Sequence, residues 1–125
     1  MSQTRAGEVS RQKLNTSKAI VVALLANNEK VKALKSAGTT GSSLETMYKQ
    51  RDTLLDLLAI TQVMRFNNLN SHPRIGGVIT ELKRATKSAN AEARRLQEAT
   101  DSVAKFTELV NDITGIVSSL TELAA

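Results

Sequence analysis

From Ala19 onward the chain carries apolar side chains at helical spacing. Ile20, Leu24, Val31 and Leu34 lie at multiples of three and four, Asn27 completes the series, and Val21 and Leu25 widen the stripe. Gly38 stops this pattern, and Thr39-Thr40-Gly41 reads as a short connection. Ser42-x-x-Glu45 then matches a capping box, in which the Ser hydroxyl and the Glu carboxylate each satisfy an otherwise orphaned backbone N–H. The stretch that follows holds Leu44, Met47, Leu54, Leu55, Leu57, Leu58, Ile60, Val63 and Met64, with Asp56 the one charge between Leu54 and Ile60. Apolar surface around most of a helix calls for burial on more than one side, which predicts a place in the middle of a bundle.

Asn67 to Pro73 is loop-like in composition, and Pro73 suits the first turn of a new helix. No further proline follows. A single helix from there to the C-terminus would be about 75 Å long, more than a compact domain of this size accommodates. It must project and pair with another chain, or break. At about 100° per residue, Ile79, Leu82, Thr86, Ala89, Ala93 and Leu96 share one face. Ala99, Val103, Phe106, Val110, Ile113, Val117 and Leu120 share another, turned by roughly 120°. The change falls near 97–101, where a stammer interrupts the heptad spacing.

The first 18 residues, rich in Ser, Thr, Gln, Asn and cations, show no apolar stripe and read as a frayed arm or an exposed helical extension. The pattern thus predicts an all-α protein with helices over about 8–37, 43–67 and 74–123, the last long or broken. The first two should form an antiparallel hairpin, with the Ile79–Leu96 face packed on it. Residues 1–18 form a basic N-terminal arm and 19–125 a single helical-bundle domain.

Composition narrows the chemistry. Among 125 residues there is one His, no Cys and 2% aromatic content, so the core must be aliphatic. Disulfides and thiolate metal sites are excluded, and no second His or Cys exists to share a metal with His72. No G-x-S-x-G turn accompanies any serine, and the i,i+4 pair Asp52 and Asp56 sits beside Lys49 and Arg51 as an ordinary ion-paired helix surface. No enzyme, cofactor or metal site is expected. The apolar run Ala19–Ala26 is too short to cross a bilayer and lacks a good cleavage site, so the expectation is a cytoplasmic protein without membrane insertion.

Charge is distributed in blocks beneath a net +5. Seven basic and two acidic residues occupy 1–35, three of each 36–73, six and two 74–97, and one and five 98–125. Lys83, Arg84, Lys87, Arg94 and Arg95 lie opposite the apolar face of their helix and form a candidate surface for an anionic partner. Arg5, Arg11, Lys13 and Lys18 of the basic arm could extend that surface. A solvated face, with Glu81–Arg84 and Arg94–Glu98 pairs, is the competing reading. His72-Pro73-Arg74 with Gly76-Gly77 weakly resembles an anion site at a helix N-terminus, although the glycines also suit close packing or a hinge.

The small-residue strip Thr86, Ala89, Ala93 would let another helix approach closely. Val103, Phe106, Val110, Ile113, Val117 and Leu120 either complete the bundle or form an oligomer interface; a two-fold pair would set the basic block of one copy against the acidic block of the other. The expected function is a non-enzymatic, oligomeric helical interaction or assembly protein whose partner is a protein, foremost itself. The alternative is a small nucleic-acid-binding regulator using residues 83–95 and the basic arm.

Overall fold

The computed structural model describes residues 5–38, 41–66, 74–98 and 103–124, and every regular element among them is an α-helix. Four helices follow in order: α1 (Arg5–Ser36), α2 (Ser42–Val63), α3 (Ile75–Glu98) and α4 (Val103–Leu123). They pack as a helical bundle around an aliphatic core. The expected change of face near 97–101 falls largely outside the described residues.

Cross-helix contacts set the directions. Glu8 meets Lys83, Gln12 meets Thr86, and the Asn15 carbonyl meets Asn90, so α1 and α3 run the same way. Lys13 meets the Gln62 and Met64 carbonyls and Asn27 meets that of Met47, so α2 runs opposite to α1. Residues 81–89 of α3 face 111–119 of α4 across a groove, and Gln50 of α2 meets Thr107 of α4. Helices α1 and α4 each pack on all three others, while α2 and α3 sit on opposite flanks.

The first half of α1 departs from the expected arm. Val9, Gln12 and Thr16 are buried, and the helix runs unbroken through the boundary expected at residue 18. The physical reason is that this half buries small and polar side chains, not a hydrocarbon stripe. Ala19, Ala23 and Ala26 continue the same buried side. On α3, Thr86, Ala89 and Ala93 are buried and Thr86 meets Gln12; short side chains of this kind permit a close helix–helix approach. The small-residue strip of α3 is therefore used within the chain.

Gly38 ends α1 as expected. Its φ of 73° is the left-handed conformation that closes a helix, and its N–H donates to Lys35 O at 3.0 Å. The expected capping box does not form. Gly41, at φ 92°, takes the N-cap position with no side-chain cap, and its carbonyl accepts the Glu45 N–H at 3.0 Å. Ser42 is already inside the helix, where its carbonyl accepts the Thr46 hydroxyl.

Helix α2 stops at Val63, four residues before the expected end at 67, as Met64 turns to extended backbone at φ −64°, ψ 141°. Its last carbonyls do not stay bare: the Lys13 ammonium donates to Gln62 O at 3.2 Å and to Met64 O at 3.1 Å. A cation there also complements the negative end of the helix dipole. Nor is α2 central. Met47, Gln50, Leu54, Leu57 and Thr61 face inward, whereas Leu55, Ile60 and Val63 are exposed.

The second apolar face behaves differently. Phe106, Val110, Ile113, Val117 and Leu120 are all buried, together with Leu109, Ile116 and Leu123, and Val103 packs against them half-buried. These residues line the core of this chain's own bundle.

Candidate interaction surface

The outer side of α1 is where the expected cations converge. Its exposed residues Arg11, Leu14, Lys18, Val21, Leu25, Asn28 and Lys32 follow one another at alternating intervals of three and four. That spacing draws a straight seam along the helix. Leu14 is 54% exposed, Val21 45% and Leu25 49%. Their half-exposure comes from α1 having two buried sides, toward α2 and toward α3, which leaves the strip between them open.

A shallow depression of about 320 Å³ crosses the middle of this seam. It is lined by Val21 and Lys18 of α1, Leu58 and Gln62 of α2, and Asn90 and Arg94 of α3. Three helices therefore contribute to one concave surface. The opposed senses of α1 and α2 place Leu55 level with Val21, which extends the apolar strip onto α2. Further along the same flank Tyr48 lies beneath two cations, the Arg51 guanidinium 5.0 Å and the Lys35 ammonium 5.7 Å from its ring centre.

The five cations of the α3 stripe are all exposed, but the bundle divides them. Lys83, Lys87 and Arg94 lie on the α1 flank: Lys83 reaches Glu8 at 3.4 Å, and Arg94 shares the depression with Lys18. Arg84 lies on the α4 flank, lining a groove of about 400 Å³ with Glu81, Ser88, Asp112, Gly115 and Ser119. Arg95 holds Glu92, three residues earlier, through two guanidinium nitrogens. The stripe is thus not a single five-cation face. Lys87 and Arg94 join Arg11 and Lys18, two cations of the expected arm, on the α1–α3 side. Arg5's side chain lies outside the described residues, and Lys13 is turned to the α2 terminus.

The candidate oligomer interface at Val103, Phe106, Val110, Ile113, Val117 and Leu120 is occupied within the chain, as the core burial above shows. The basic and acidic blocks meet there too, since α3 packs on α4. His72 and Pro73 of the candidate anion site lie outside the described residues. A Cβ at the neighbouring Gly77 would meet nothing within 4 Å, so close packing does not require that glycine.

Sequence reasoning missed the apolar strip on α1. The signal was present in the interval pattern from Leu14 to Lys32, which was absorbed into the width of the core stripe. No helix among the described residues is long and apolar enough to cross a membrane. No family model matches the chain, and no curated protein or solved structure matches it.

Proposed function

We propose that this chain is a non-enzymatic helical interaction protein that docks a partner on the outer face of α1 and α2. One observation supports the reading above the others. Among the described residues the large apolar side chains left exposed are Leu14, Val21, Leu25, Leu55, Ile60 and Val63, all on α1 and α2. The outer faces of α3 and α4 have none. Scattered exposed leucines are ordinary on any protein surface, but Leu14, Val21 and Leu25 share one side of α1 with Leu55 level beside Val21, and a strip gathered in this way marks an interaction face. Within that reading the assembly contact is this face, not the Val103–Leu120 stripe, which the core has used.

The test is a pair of surface variants, Val21→Glu and Leu25→Glu, in the full chain. Both side chains are about half exposed, so helicity and melting temperature should hold while binding to a helical partner is lost. Light scattering on the unaltered chain settles whether the partner is a second copy: a monomer at tens of micromolar directs the reading to a different protein.

A second reading, nucleic-acid binding, is favoured by the gathering of Arg11, Lys18, Lys87 and Arg94 on neighbouring helices. It predicts salt-sensitive binding to random DNA or RNA that weakens, with a shallower salt slope, when Lys87 and Arg94 are reversed in charge. Absence of binding at about 50 mM salt removes it.

A further inference from the structure

We infer that the partner of the α1 seam is an acidic amphipathic helix, seated with its apolar stripe on Leu14, Val21 and Leu25 and its carboxylates toward Arg11, Lys18, Lys87 and Arg94. The inference rests on the reading of the α1–α2 face as an interaction surface and adds the chemistry of its occupant.

Three features carry it. The first is spacing. Leu14, Lys18, Val21, Leu25, Asn28 and Lys32 follow intervals of four and three in strict alternation, the pattern that keeps one helix in register along another. The apolar stretch from Leu14 to Leu25 spans about 16 Å, three turns of a docked helix.

The second is shape. The middle of the seam is concave, and Val21, Leu58, Gln62 and Asn90 are among the residues that line it. A depression accepts the ridge of side chains that a helix presents. A lipid surface would instead require apolar groups that protrude, and phosphate backbones would leave the strip of Leu14, Val21 and Leu25 in water.

The third is charge. Arg11 and Lys18 belong to the seam on α1, Lys18 between Leu14 and Val21, and Lys87 and Arg94 stand on the α1 side of α3, all exposed. Glu8 and Glu29 are the carboxylates on the α1 side of the seam, and each is already engaged by a lysine, Glu8 with Lys83 at 3.4 Å and Glu29 with Lys32 at 3.7 Å. A second copy docked through the same seam would bring two such cation rows together, and like charges across an interface oppose association. A helix with Glu or Asp flanking its apolar stripe answers both the hydrophobic and the electrostatic demand.

The experiment uses the full chain and two synthetic three-heptad peptides that share one Leu stripe, one flanked by Glu and the other by Lys. Binding is read by fluorescence anisotropy and located by backbone amide shifts. The Glu peptide should bind with shifts centred on residues 14–25, and at least roughly tenfold more tightly than the Lys peptide. Val21→Glu should abolish that binding. Lys18→Glu combined with Arg94→Glu, which leaves the apolar strip intact, should reverse the preference. Equal binding of both peptides at this seam overturns the acidic partner but leaves the interaction face standing. Failure of both peptides with the fold intact overturns face and partner together. Preferential co-sedimentation with anionic vesicles, binding of random RNA or DNA that Val21→Glu does not touch, or self-association lost in Val21→Glu each overturns the acidic helix in favour of another occupant.

Discussion

The Thr86 hydroxyl lies 2.7 Å from Gln12 Oε1, and both side chains are buried where α1 and α3 run side by side. The same hydroxyl is 2.8 Å from Leu82 O, the bond a helical threonine makes to its own preceding turn. One proton thus serves either the helix or its neighbour, and Gln12 depends on the second choice. One step further along, the Asn90 amide donates to Asn15 O at 3.2 Å. These polar contacts fix the register of the two helices, since each joins one position of α1 to one position of α3.

Replacing Thr86 by Val should therefore cost about 1–3 kcal/mol, because it strands the Gln12 acceptor in the core. The double variant Gln12→Leu, Thr86→Val should recover part of that loss. Urea denaturation of both singles and the double gives the coupling, and strict additivity would show that the two side chains act independently.

The carbonyl oxygens of Asn27 and Gln50 are buried without a hydrogen-bond partner. Gln50→Met keeps the length of the side chain and removes the unsatisfied oxygen, along with a bond to Thr107. The expected result is a gain of about 1 kcal/mol in unfolding free energy, since an unpaired buried acceptor costs more than one such bond returns. A loss of similar size in a denaturation curve would mean that the Gln50–Thr107 contact governs the site.

Gly77 and Gly115 lie within helices at negative φ, with nothing within 4 Å of a would-be Cβ. Alanine at each should stabilise the fold by about 0.5–1 kcal/mol, chiefly by restricting the unfolded chain. Calorimetry of the two single variants and the double checks this, and the two sites should add.

Ile113 is fully buried within α4. Ile113→Ala should lose about 2–5 kcal/mol by combining lost transfer free energy with a cavity. Because the residue faces its own chain's core, the loss should not vary with protein concentration. A concentration-dependent melting temperature would instead place this stripe at a contact between copies.

Lys13→Met removes the cation over the Gln62 and Met64 carbonyls while keeping the aliphatic stem. About 0.5–1.5 kcal/mol should be lost, with faster amide hydrogen exchange confined to the last turn of α2. Uniform acceleration across the bundle would contradict a capping role.

The apolar stripes from Ile79 to Leu96 and from Phe106 to Leu120 were legible because each is hydrocarbon on one face and polar on the other. Gly38 was legible because a left-handed residue closes the helix there. The first half of α1 was not, since Gln12 and Thr16 are polar letters whose burial becomes intelligible only beside Thr86, more than 70 positions away. The position of α2 was not legible either. Leu54 and Leu57 face the core while Leu55 faces outward, and identical side chains in succession carry no mark of which way is in. The basic stripe was legible as a set of cations, but its division between two flanks follows from where α1 and α4 lie. Sequence spacing along α3 does not contain that information.

The partners along the α1–α3 seam are 74 or 75 positions apart in the chain. A chain leaving the ribosome therefore completes α1 long before α3 can cover the side that carries Gln12 and Asn15. Contacts this distant make the loop-closure search long for so small a helical protein, and folding slower than in a bundle where each helix meets its immediate successor. During that interval the nascent α1 carries a helix face that stays uncovered until α3 is made and packs on it.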